Sequence, residues 1–163
     1  MGKIVISAPY FEPATEYWSP YLKGWVQSEL KKRGHDVVVL WADDAVRDKV
    51  KQAMANADAL CGVGHGNEQV FTGQNYDYIY QVGDDVPELA GKCFAPVSCL
   101  VGNELLPYLI SKGTACGLGE IVEYTFVVDP TKSHSGDSPD EDTYLKPFLI
   151  AEYTFWFKLA EGA

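Results

Sequence analysis

The feature that most constrains this chain is an alternation of short apolar runs with segments of helical period. Ile4–Ala8, His35–Trp41, Ala59–Gly64, Cys93–Cys99 and Thr114–Leu118 have strand length. The first, third and fourth are continuous apolar runs of the kind buried on both faces of a sheet. Between and after them the spacing predicts helices over Tyr21–Arg33, Asp44–Ala57, Glu104–Ser111 and Tyr144–Ala160. Strands alternating with helices imply βαβ units, right-handed crossovers and a largely parallel sheet covered on both faces. The expected class is therefore α/β, a three-layer α/β/α sandwich, as one domain over residues 1–163. A second pattern is inserted in it: Val70, Phe71, Tyr76, Tyr78, Ile79, Tyr80 and Val82 around Gly73-Gln-Asn75 predict a β-hairpin in Glu68–Asp85, over the strand ends.

Local signals set the boundaries. Tyr10–Pro20 is rich in proline and aromatics and reads as a loop, with Ser19 as N-cap and Pro20 at the first position of the following helix. Leu22, Val26 (or Trp25) and Leu30 give that helix its inner face. Val46, Val50, Ala53 and Met54 do so for the second, and Phe148, Ala151, Phe155 and Leu159 for the last. Val86–Lys92 reads as a short helix or turn. Gly119–Val128 is β-prone, yet Glu120 and Glu123 fit a helical turn equally well, so both assignments stay open. Thr131–Asp142 is a polar loop and the segment expected to be most mobile.

Charge narrows the partners. A formal net charge of −10 opposes nucleic acid, whose phosphates need a basic face, and favours a cationic substrate or partner. No apolar run approaches the roughly 20 residues of a membrane span, and Met1–Ser7 lacks a signal-type apolar region, so a cytoplasmic protein without membrane contact is expected. Cys61, Cys93, Cys99 and Cys116 show no metal-type pairing; the first two and the last sit in strand runs and read as core, with Cys116 near Cys99 on an adjacent strand. Gly62-x-Gly64-x-Gly66 has the wrong spacing and the wrong strand for a dinucleotide fingerprint. The acids of 137–142 lack the spacing of a calcium loop, so no cofactor and no metal is expected. His35 reads as a solvated strand-edge residue and His134 as part of the mobile loop. Tyr10, Phe11, Tyr17 and Trp18 are placed near the end of the first strand, lining either a substrate groove or a dimer surface; a homodimer is left open.

Two strand tips carry chemistry. Cys61-Gly-Val-Gly-His65-Gly66-Asn67 delivers an imidazole and Phe94-Ala-Pro-Val-Ser98-Cys99-Leu-Val-Gly102 a thiol, both at C-terminal strand ends, where open parallel sheets bind ligands. An imidazole beside a thiol takes its proton and makes it a nucleophile, and backbone N–H groups stabilise the oxyanion that follows. On this reading His65 is the acid–base group and Cys99 the nucleophile, with the N–H groups of Gly66 and Cys99 as oxyanion donors.

Val63-Gly64-His65-Gly66, Cys99-Leu-Val-Gly102 and the later Gly113-Thr114-Ala115 resemble the caspase-like cysteine peptidases, and within them the gingipain type. The resemblance implies a His65–Cys99 dyad, a peptide or protein substrate, and an acidic specificity pocket if cleavage follows a basic residue. Glu120, Glu123 and Asp129 are the acids that would serve such a pocket. The competing reading is a non-catalytic binding module that uses the same crevice; an amidotransferase is disfavoured because there the His follows the Cys.

Overall fold

The computed structural model describes residues 2–161. Five strands, β1 (Lys3–Ala8), β2 (Asp36–Trp41), β3 (Ala59–Val63), β6 (Cys93–Val97) and β7 (Cys116–Gly117), form a parallel sheet in the order β2-β1-β3-β6-β7. Two more, β4 (Val70–Thr72) and β5 (Tyr78–Gln81), pair antiparallel as the inserted hairpin. Counting only the parallel strands, the order is that of the flavodoxin-like sandwich, in which the chain reverses its direction of travel between the first and third strands.

The period of two along the strands explains the three layers. Ile4, Ile6 and Ala8 of β1, Ala59, Cys61 and Val63 of β3, and Cys93, Ala95 and Val97 of β6 all point to one face. There they meet α1 (Pro13–Tyr21), α2 (Gln27–Lys32) and α5 (Lys146–Ala160). Val5, Leu60 and Phe94 point to the other face, against α3 (Arg47–Met54), α4 (Leu105–Ser111) and the hairpin residues Phe71, Ile79 and Tyr80. Apolar side chains on both faces are what make these runs continuous rather than alternating.

Several boundaries differ from expectation. The first helix begins at Pro13, not Pro20, because Glu12 caps it and proline is well suited to the first helical position. Ser19 lies inside the helix and its hydroxyl donates to Pro9 O at 2.5 Å, fastening the helix to the end of β1. Pro20, which has no N–H to give, is followed by a wide turn over Leu22–Val26 that separates α1 from α2. In α5 the fully buried residues are Leu149, Tyr153 and Trp156 rather than Phe148, Ala151, Phe155 and Leu159. That helix is apolar nearly all round, so its period did not select a face; the Trp156 indole N–H, donating to Ala95 O at 3.0 Å, does. His35 is no solvated edge: its Nε2 lies 2.8 Å from Ala160 O.

The 131–142 loop is internally bonded rather than slack. The Glu141 carboxylate accepts from the N–H groups of Gly136, Asp137 and Ser138. His134 and Asp142 form a buried pair at 2.8 Å, and Asp142 also accepts from the N–H groups of Asp129, Tyr144 and Leu145. Residues 119–128 form no regular element. Cys116 is exposed and lies in register with Cys93, not beside Cys99. Among the described residues no helix is long and apolar enough to cross a membrane.

Candidate functional site

Above the carboxyl ends of β1, β3 and β6 lies a cavity of ≈ 70 Å³. Ala14, Thr15 and Trp18 of α1 wall one side, Val63–His65 a second and Val97–Cys99 a third, with Tyr124 and Phe126 closing it. The location follows from topology, since strand ends flanking the reversal between β1 and β3 leave a crevice that no crossover helix fills.

The two strand tips are brought together by their glycines. A Cβ on Gly66 would sit 2.2 Å from Ser98 Oγ and 2.9 Å from Cys99 O, so only a bare backbone lets the turn after β3 rest on the turn after β6. A Cβ on Gly64 would lie 2.0 Å from Thr72 O, and the His65 carbonyl accepts from Thr72 N at 2.9 Å and from its hydroxyl at 3.0 Å. The glycine repeat is thus a packing device that docks the hairpin and the opposite turn.

The His65 side chain leaves this turn towards α1, its ring 5.2 Å from that of Tyr76 and edge-on to Phe11. Its Nε2 lies 3.1 Å from Glu12 Oε1. Glu12 is itself engaged: its two carboxylate oxygens accept from Ala14 N at 2.9 Å and Thr15 N at 2.7 Å. Burial would raise the Glu12 pKa, but those N–H bonds, the Thr15 hydroxyl and His65 outweigh it and hold the carboxyl below its usual value.

Cys99 opens a turn whose next residue, Leu100, has φ 62°, a left-handed backbone that a branched side chain rarely adopts. The turn is held by an irregular strap: Leu100 N donates to Val122 O at 3.2 Å and Gly102 N to Glu120 O at 2.8 Å. Tyr124 N lies 3.2 Å from Cys99 Sγ, which accepts its hydrogen bond. No hydrogen bond joins the His65 imidazole to the Cys99 thiol among the described residues; the imidazole stands beside the Glu12 carboxylate and the thiol beside the Tyr124 N–H.

Three polar atoms of cavity-lining residues make no hydrogen bond: the Trp18 indole N–H and the Ser98 hydroxyl, on residues essentially sealed from solvent, and His65 Nε2, which approaches Glu12 without hydrogen-bond geometry. Trp18 is held edge-on by Tyr124, Phe126 and Tyr153. Glu120, Glu123 and Asp129 do not line the cavity. Glu120 stands near Tyr124 and Glu152, where burial and the Glu120 charge push the Glu152 carboxyl up. Glu123 is exposed, and Asp129 binds the Thr131 hydroxyl and N–H. Of the four aromatics placed near the first strand, Trp18 enters the cavity wall, Phe11 meets His65, Tyr10 stacks on Trp41 and Tyr17 packs on His134. Glu12, Ser98 as a wall group, Tyr124 and Phe126 were not foreseen. The Glu-Pro pair before a helical period was the available sign for the first; nothing local marks Tyr124 and Phe126, which arrive through a segment without regular structure. No cluster of three or more metal-ligating side chains occurs among the described residues.

No family model matches the chain, and no curated protein matches it. Among similar solved structures is the apo form of an NADH:FMN oxidoreductase (EMOB), 16% identical, with a TM-score of 0.46, covering 73% of this chain and 74% of that one. At that similarity neither reaction nor cofactor passes to this chain. The peptidase expectation is corrected by the site itself, where no hydrogen bond joins His65 to Cys99 among the described residues. Within the site, His65 faces Glu12, the thiol is bound to a backbone N–H, and none of the three expected acids lines the cavity.

Proposed function

We propose that this chain is a small-ligand-binding domain whose site is the cavity above β1, β3 and β6. The observation that carries the reading is the pair of unpartnered groups in its wall, Trp18 Nε1–H and Ser98 Oγ. A buried hydrogen-bonding group left unmade costs about 1–3 kcal/mol, so two in one small wall describe a site that a ligand completes. The ligand accepts from the indole and exchanges a hydrogen bond with the serine, while Tyr124 and Phe126 offer ring surface. At ≈ 70 Å³ the space takes a compact molecule or one end of a larger one.

The charge of that ligand is neutral or positive. Net charge is −10, and the carboxylate of Glu12 fills the N-terminal end of α1, where an incoming anion would bind. The same fact tests the flavin that sandwiches of this strand order hold at the β1/β3 crevice. Its phosphate would compete with Glu12 for the N–H groups of Ala14 and Thr15, and its ring system exceeds the cavity. The residues present do not fit it.

The experiment is a ligand-observed NMR screen of small neutral and cationic fragments against the wild-type chain and Ala14→Leu, which fills the cavity. Binders lost in Ala14→Leu support the site; a set that binds both proteins equally would remove it.

A further inference from the structure

We propose that Cys93 and Cys116 are a thiol pair placed to close into a disulfide when the chain meets a low-molecular-weight disulfide such as oxidised glutathione. The two residues are direct register partners on the parallel strands β6 and β7. Neighbouring strands run about 4.7–4.9 Å apart, inside the roughly 4.4–6.8 Å that a disulfide spans between Cα atoms, and register partners project from the same face. As direct partners in register they bring their side chains to one face of the sheet, so closing the bond needs no change of strand register.

Exposure divides the roles. Cys116 is exposed on the two-residue edge strand and is the sulfur that an outside reagent meets, whereas Cys93 is 5% exposed. Burial, and then the neighbouring Cys116, push the Cys93 thiol up, which makes Cys93 the second thiol to react rather than the first. Cys93 also lines a cavity of ≈ 190 Å³ with His35, Asp58 and Trp156. The other cysteines do not compete. Cys61 is wholly buried. Cys99 lies beyond the far end of β6, six residues from Cys93 or roughly 20 Å along an extended chain.

The chemistry balances in two exchanges. The Cys116 thiolate attacks one sulfur of oxidised glutathione, its S–S bond breaks, and one glutathione thiolate leaves with the proton that Cys116 gave up. The Cys93 thiolate then attacks the Cys116 sulfur, forming the protein disulfide and expelling the second glutathione, which takes the Cys93 proton. Two protein thiols are oxidised and one small disulfide is reduced. The bond fastens edge strand β7 to the sheet and closes the loop from 93 to 116, which holds Ser98, Cys99 and α4. It therefore stiffens one wall of the cavity described above, though its formation does not depend on what that cavity binds.

The test is incubation with excess oxidised glutathione, acid quenching, intact mass and non-reducing tryptic mapping. The expected product has lost two hydrogen atoms, joins fragment 93–112 to fragment 113–132, and melts roughly 5–10 °C higher. Because the first fragment carries both Cys93 and Cys99, the link must persist in Cys99→Ser and vanish in Cys93→Ala. Cys116→Ser, at an exposed position, must also abolish it. A wild-type chain that keeps glutathione on Cys116 without forming the link, or a link lost in Cys99→Ser, would overturn the proposal.

Discussion

Single side chains do more here than their positions in sequence announced. Glu12 is the clearest case, because one carboxylate caps α1, stands beside His65 and bars anions from the helix end. Replacing it by alanine removes two N–H acceptors, and a lost N-cap of this kind costs about 0.5–2 kcal/mol. We expect the urea midpoint of Glu12→Ala at neutral pH to fall accordingly, with the slope of the transition unchanged. Asp142 is the second case. Burial would raise its carboxyl, but His134 and three backbone N–H groups hold it below the usual value. A depressed carboxyl stabilises the fold fully above its unfolded pKa, near 3.8, and that contribution is lost as pH falls through the lower folded value. Asp142→Ala strands those donors in the interior and should cost roughly 3–5 kcal/mol. Asp142→Asn should be destabilised at neutral pH and show a flatter loss of stability on acidification than wild type, read from urea midpoints at each pH.

Among the elements, the strands were legible and the first helix was not. Runs such as Ile4–Ala8 and Cys93–Val97 carry one instruction, burial on both faces, and the sheet obeys it. Residues 10–20 carry two: two prolines and a row of aromatics signal a loop, while Pro13 after a capping acid signals a start. The second prevails because the wide turn at Leu22–Val26 absorbs Pro20 and the aromatics bury against the sheet. Gly24 in that turn shows how opposed effects are weighed. Alanine in a helical segment gains up to about 1 kcal/mol over glycine. Its Cβ would, however, lie 2.3 Å from the Gly136 carbonyl, a backbone atom that cannot swing aside. Overpacking of this kind typically costs 1–3 kcal/mol, so Gly24→Ala should lower stability. It should also expose the 131–142 loop to limited proteolysis, which gel electrophoresis after brief trypsin treatment would display at Lys132.

For the molecule as a whole, the sandwich followed from periodicity, and so did the placing of the two strand tips in one crevice. Their chemistry did not, because what a His and a Cys do depends on where each side chain turns. Glu12 and Tyr124, far from both in sequence, decide that. Net charge is the other global property. With 23 acidic against 13 basic side chains the folded chain repels itself, and salt screens that repulsion over a Debye length of about 10 Å at 0.1 M. We expect the melting temperature to rise between low and physiological ionic strength, measured by scanning calorimetry in sodium chloride.

The wide turn at Leu22–Val26 also bears on the order in which a nascent chain becomes protein. Its Trp25 N–H is satisfied at 2.8 Å by the carbonyl of Gly136, more than a hundred residues downstream. During synthesis, at roughly 5–20 residues per second, that donor has no native partner until most of the chain has left the ribosome. The earliest helix to be made is thus among the last parts to be finished, and its completion reports that the distant C-terminal loop has arrived.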